Sequence, residues 1–149
     1  MKLEEEIKQK TFRNEYHKLA VNILYTHGWL INHHAAFLKK CGITAAQYNI
    51  LRILRGQYPN PASVNLLKER MLDKMSDASR LVERLKQKEL VDREICPEDR
   101  RRVEVVITKK GLKLLKDIDK LDDEADQIFN KLSASEAKTL NDLLDKMRG

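Results

Sequence analysis

Apolar residues recur along this chain at changing intervals, and the order of the changes predicts the architecture. From about Glu4 to Lys40 there is no proline, and Phe12, Tyr16, Leu19, Ile23, Leu30, Phe37 and Leu38 form a broad helical stripe interrupted only by Gly28. One long helix, or two with a bend near Gly28, is expected. Gly42 ends it, and Thr44 with Gln47 makes a capping box, with a staple between Ile43 and Tyr48. The second helix, to about Arg55, turns Tyr48, Leu51 and Leu54 inward. Residues 56–61 read as a loop, after which Ser63 or Asn65 caps a short helix carrying Leu66, Leu67 and Met71.

The next segment changes period within itself. Met75, Ala78, Leu81, Val82 and Leu85 recur at steps of three and four, so they share one arc of a helix and face a core, with Asp73 as a cap. The opposite arc carries Ser76, Ser79, Arg80, Glu83, Arg84 and Gln87. After Leu90 the period becomes two. Val91, Arg93 and Ile95 alternate with Asp92, Glu94 and Cys96, and Val103, Val105 and Ile107 alternate again, which predicts two strands. Between them Pro97, Glu98, Asp99, Arg100, Arg101 and Arg102 form a tip too polar to bury. Two short helices with a tight connection, followed by a hairpin, match a winged helix-turn-helix. The fold class expected is mainly α with a small β-hairpin wing.

Beyond the hairpin, Leu114, Leu115, Ile118, Leu121, Ala125, Ile128 and Leu132 keep a near-heptad pattern. Ser133 and Glu136 form another capping box, opening a final helix to about Met147 that buries Ala137, Leu140, Leu143 and Leu144. Long amphipathic helices at both ends expose more apolar surface than one small central unit can cover. The division expected is a single domain over 1–149, with residues 1–40 and 112–149 as dimerisation helices of a homodimer and 43–111 as a DNA-binding lobe.

Composition narrows the function. Formal charge is +6, and the excess is not spread evenly: residues 112–149 hold seven Lys/Arg against nine Asp/Glu, leaving 22 against 14 in residues 1–111. The positive excess therefore lies in the first 111 residues, the part that contains the predicted lobe, as suits a nucleic-acid partner. Three consecutive arginines at a tip repel one another in water, and a phosphate backbone relieves this. Arg80 and Arg84 can fork onto guanine or grip phosphate. A solvated helix face is the plainer reading of the same pattern. The N-terminus has charges where a signal peptide needs an apolar run, and no stretch is long enough to span a bilayer, so a cytoplasmic protein without membrane partner is expected.

No catalytic motif occurs, so an enzyme is not expected. His27, His34 and Cys41 fall at seven-residue steps, with His33 adjacent. Seven residues are roughly 10.5 Å of helix rise, so one helix cannot close these groups on a single ion. No metal or cofactor is expected from them, although a metal-sensing role through a second helix stays open. Cys41 lies between Lys40 and Gly42, and Cys96 lies near Arg100 to Arg102; either thiol would be a redox switch only if a cation lowered its pKa, and inert thiols are the expectation.

Residues 99–111, DRRRVEVVITKKG, resemble the wing motif of the MarR (multiple antibiotic resistance regulator) family, an Asp-x-Arg pair before a strand ending in Ile-Thr and a nearby Gly. ITAAQYNILRIL at 43–54 and SRLVERLKQKELVDR at 79–93 resemble that family's second helix and its recognition helix with the following strand. The likeness spans roughly residues 10–147, and acidic Asp77 departs from it near the groove-facing end.

The resemblance implies a homodimeric regulator, commonly a repressor, on a palindromic site in double-stranded DNA. Ser76, Asp77, Ser79, Arg80, Arg84 and Gln87 would face the major groove. Arg101 would enter the minor groove, held by a salt bridge from Asp99, and Arg100, Arg102 and Lys109 would add phosphate contacts. A small-molecule effector would wedge where the end helices meet the lobe; Tyr16, His17, Trp29, His33, Phe37 and Tyr48 are the candidates to line that cavity, and the same positions read equally well as core. The competing expectation is a winged-helix module that binds protein and not DNA, which Asp77 and Glu83 on the recognition face favour.

Overall fold

The computed structural model describes residues 1–149. In order, the elements are α1 (Leu3–Glu6), α2 (Glu15–Lys39), α3 (Ala45–Gln57), β1 (Ala62–Ser63), α4 (Val64–Arg70), α5 (Ala78–Gln87), β2 (Val91–Ile95), β3 (Val103–Ile107), α6 (Lys109–Asp119), α7 (Asp122–Asp126), a 3-10 turn (Gln127–Phe129) and α8 (Ala134–Arg148). The expected class holds: a mainly helical chain with a small antiparallel wing. No helix is long and apolar enough to cross a membrane.

One apolar cluster joins the end of α2 to the lobe. Ile50, Leu51 and Leu54 of α3, Leu67 of α4, Val82 and Leu85 of α5, Val105 of β3 and Leu115 and Ile118 of α6 are essentially inaccessible. Fully burying a side chain of this size contributes about 1.5–3 kcal/mol, so this centre holds α3 to α6 and the wing together. Gln47 is its one buried polar side chain. Its Oε1 accepts the Thr44 backbone N–H while the Gln47 N–H donates to Thr44 Oγ1, the expected capping box. Gly42, at φ +75, turns the chain from α2 into α3, a left-handed conformation that glycine adopts without strain.

Several expectations are corrected. The first helical region breaks at residues 7–14 and not at Gly28, which sits inside an uninterrupted α2 with open space beside it. Asn14 starts α2 by accepting the His17 N–H. Tyr48 is only half-buried, its ring edge-on to His34. Ser63, not Asn65, caps α4. The sheet has three strands rather than two, in the order β1-β3-β2, because Ala62 and Ser63 pair with Val105 and Glu104. A two-residue strand is too short to show a period. Met75 is 91% exposed because α5 starts only at Ala78. On β2 the inward alternation fails beyond Val91, with Ile95 exposed and Cys96 buried.

The end of the chain differs most. The near-heptad run is not one helix: α6 stops at Asp119, and Leu121, Phe129 and Leu132 are exposed. In α8 the Ser133–Glu136 capping box is present, but no residue is buried, and Leu140 and Leu143 face solvent in the isolated chain. Tyr16, Leu19, Leu24 and Ile31 of α2 are likewise exposed.

A polar clasp ties α3 to the end of α6. Arg55 donates to Asp119 through Nη1 at 2.6 Å and Nη2 at 3.3 Å, and Arg52 Nη1 stands 3.9 Å from the same carboxylate. The hydrogen-bonded Arg55 guanidinium holds the Asp119 carboxyl below its ordinary range, and Asp119 in turn raises Arg55. A lowered folded pKa gives stability that is complete above the unfolded value of about 3.9 and is lost as pH falls through the folded one. Both side chains are about a third open to solvent, so screening limits the contribution to about 1 kcal/mol or less. Asp119→Asn is therefore expected to lower the melting temperature by about 2–4 °C at pH 7, a gap from the parent that closes as the pH drops below about 4. A gap of equal size at pH 7 and at acid pH would assign the loss to packing instead.

Candidate nucleic-acid interface

Helix α5 is built to bury one arc and present the other. Ala78, Val82 and Leu85 are buried, while Ser79, Arg80, Arg84, Lys86 and Gln87 are exposed. Asp77 is its N-cap, its Oδ1 accepting the Arg80 backbone N–H at 3.1 Å. The carboxylate expected at a groove thus performs a structural task, and Asp73 instead organises the preceding turn, accepting from the Met75 N–H and the Ser76 hydroxyl. Glu83 is half-buried and paired with Arg93 of β2 at 2.9 Å. Both acidic residues that favoured a protein-only module are therefore engaged within the fold.

The helix ends in a left-handed Glu89, at φ 62, with Leu90 N–H on Leu85 O and Glu89 N–H on Lys86 O. That turn reverses the chain into β2. Strands β2 and β3 pair from Val91↔Ile107 to Ile95↔Val103, and the tip closes with the Cys96 N–H on Arg102 O at 3.0 Å and the Arg102 N–H on Asp99 O at 2.9 Å. The Asp99 carboxylate differs from expectation. Its Oδ1 accepts the backbone N–H of Arg101 at 3.0 Å, and no ion pair joins it to the Arg101 guanidinium. A carboxylate two residues back folds onto the chain as an Asx turn, so Asp99 shapes the tip and leaves the Arg101 side chain free.

Two concavities flank α5. One, of about 570 Å³, lies toward the wing and is lined by Asn65 and Lys68 of α4, Ser79 of α5, and Asp99, Arg101 and Arg102 of the tip. The other, of about 440 Å³, lies toward α3 and gathers Ser76, Asp77, Arg80 and Arg84. Gln87, Arg100 and Lys109 line neither; Lys109 stands at the far end of β3 from the tip. Arg80 and Arg84 of α5 and Arg100 and Arg101 of the tip make no intramolecular ion pair, as is also true of Arg13 and Arg70, whereas Arg52, Arg55, Arg93, Arg102 and Arg148 do. Unpaired cations on the exposed arc of α5 and at the wing tip are an electrostatic footprint for a polyanion. Asn65 and Lys68 are absent from the sequence-based expectations, because the pattern of α4 marks only its buried side.

The expected effector residues are not brought to one place. A cavity of about 450 Å³ lies between α2 and the 122–129 segment, and of the six only His33 and Phe37 line it, with His34, Lys40 and Phe129 among the others. Trp29 packs against His33 and edge-on to Phe129, whereas Tyr16 is exposed and His17 packs on Phe12, an end of α2 outside this cavity. No three His, Cys, Asp or Glu side chains converge as metal ligands. Cys41 is half-buried and Cys96 buried, and both are free thiols.

Helices α3 to α5 followed by a β2–β3 wing define a winged helix-turn-helix protein. The sequence model described as MarR family matches residues 42–102, the lobe up to the wing tip. Over that stretch the chain is similar to the MarR family of transcription regulators. It is similar to a MarR transcription factor from Planctomyces limnophilus (29% identity, 91% of this chain and 98% of that chain, TM-score 0.70). It is also similar to a mutant MarR from E. coli complexed with operator DNA (25%, 93% and 99%, TM-score 0.79). A third is BpsR of Bordetella bronchiseptica, whose DNA binding is regulated by 6-hydroxynicotinic acid (25%, 86% and 99%, TM-score 0.68). No curated protein matches the chain significantly.

Proposed function

We propose that this chain acts as a homodimeric repressor on a palindromic DNA site and is released by a small-molecule signal. The observation that carries the reading is the exposed arc of α5, with Arg80 and Arg84 unpaired, set beside a wing whose Arg101 side chain is free. In a dimer the two α5 helices enter successive major grooves, about 34 Å apart on one face of the duplex, while each wing reaches a minor groove. Ser76, Ser79, Arg80, Arg84 and Gln87 then face bases or nearby phosphates. The likeness to operator-bound MarR of E. coli supports this arrangement.

Residues 43–111 form the reading lobe, and the terminal helices join two copies. The exposed apolar residues of α2 and α8 support that division, since a folded monomer would leave Tyr16, Leu24, Leu140 and Leu143 in water. Sedimentation at low micromolar concentration is expected to show a dimer with no folded monomer, as for subunits that share a core. A compact, folded monomer would remove the symmetry on which the palindrome depends.

Release requires an effector that favours one spacing of the two lobes over another. The cavity between α2 and the 122–129 segment joins the terminal regions, and the effector-regulated BpsR supports this part of the reading. The test of DNA binding is a salt titration on duplex DNA. The logarithm of affinity should fall linearly with that of salt at about 0.9 per phosphate contact, and a protein-only module would show no such binding.

A further inference from the structure

Helix α4 carries no assigned contact, yet the sheet fixes it to the wing. Pairing of Ala62 with Val105 and Ser63 with Glu104 sets the start of α4 against β3, and Ser63 caps the helix by accepting the Leu66 N–H. Lys68, a turn further on, then shares the 570 Å³ groove with Ser79, Arg101 and Arg102, which come from α5 and the wing tip. Three cations thus meet from α4 and the tip. The one carboxylate there, Asp99, is occupied by the Arg101 N–H, and Arg102 stands 3.8 Å from Glu104. Lys68 is exposed and has no ion pair, so its charge is uncompensated within the chain. The groove is bounded on one side by the helix proposed to read a major groove and on the other by the wing proposed to reach a minor groove. What separates those two grooves on a duplex is one sugar-phosphate strand.

We propose that the groove between α4, α5 and the wing seats that strand, with Lys68 as its phosphate-positioning residue and Asn65 and Ser79 as neutral donors. The inference rests on the DNA-binding reading and goes beyond it by naming which element outside α5 and the wing fixes the register. Contacts to phosphate position a protein without reading sequence, so the effect of Lys68 is the same on every duplex.

The test is fluorescence anisotropy over a salt series on two unrelated duplexes of about 30 base pairs, long enough for both half-sites. Lys68→Gln is expected to weaken binding equally on both and to lower the salt slope by about one unit, while Lys68→Arg keeps the parent slope. Lys110→Gln serves as the control, since Lys110 donates to the Lys88 carbonyl on another face and should leave the slope unchanged. A parent-like melting curve for Lys68→Gln, expected from its exposure, separates contact from folding. If the parent binds steeply and Lys68→Gln keeps its slope, the groove assignment is overturned and the DNA-binding reading stands. If the parent binds no duplex, both fall.

Discussion

Gly111→Ala is expected to destabilise the protein by about 1–3 kcal/mol, a loss of roughly 2–12 °C in melting temperature, with Gly111→Val worse. A Cβ at this position would stand 2.4 Å from the Leu90 carbonyl oxygen and 2.7 Å from Ile107 Cγ1. Neither neighbour is a loose side-chain end. Leu90 O accepts the Thr108 N–H at 3.1 Å, and the Leu90 N–H donates to Leu85 O at 3.0 Å, so the carbonyl is held from both sides. Thr108 Oγ1 donates to Glu89 O and accepts from the Gly111 N–H, which pins the first turn of α6 to the end of α5. Room for a methyl group therefore requires α6 to move away from the base of the wing. An unchanged melting temperature would mean that this junction is looser than its hydrogen bonds indicate.

Arg101→Ala is expected to weaken binding to the cognate site by about 1–3 kcal/mol, roughly fivefold to 150-fold. Its guanidinium is free in the protein, so nothing is lost from the fold when it is removed. Minor grooves focus negative potential, and an inserted arginine draws on it. The Asp99 contact sharpens the test. Because Asp99 accepts a backbone N–H, Asp99→Asn keeps the oxygen that shapes the tip and should retain most of the affinity, while Asp99→Ala should lose part of it. Equal losses in both would restore a charge-pair role for Asp99. Parent-like binding by Arg101→Ala would remove the wing from the interface.

The helix-and-hairpin order of the lobe was legible because its signals are local. Thr44 with Gln47 and Ser133 with Glu136 mark helix starts, and the change from period three or four to period two marks the wing. Local ambiguity explains most misses. Asp73 and Asp77 both suit a cap, and only the backbone path shows that Asp77 holds Arg80 while Asp73 holds a turn. For the Asp99-x-Arg101 pair the family resemblance implies a salt bridge, but the carboxylate reaches the backbone N–H of Arg101 instead. β1 and Lys68 were invisible for a different reason. A two-residue strand has no period, and the lysine meets the wing only because that strand pairs with β3, a partner some forty residues later in the chain. The apolar stripes of α2 and α8 lie exposed in the isolated chain, where a helical period alone cannot say what covers them.

The most direct test of the account is selection of bound duplexes from a random pool by the full chain. The expected result is one enriched motif with two-fold symmetry, its half-sites centred about 10 base pairs apart, one helical turn as two α5 helices in successive major grooves require. Enrichment of a single, unrepeated site, or none, would contradict a symmetric dimer reading DNA through α5.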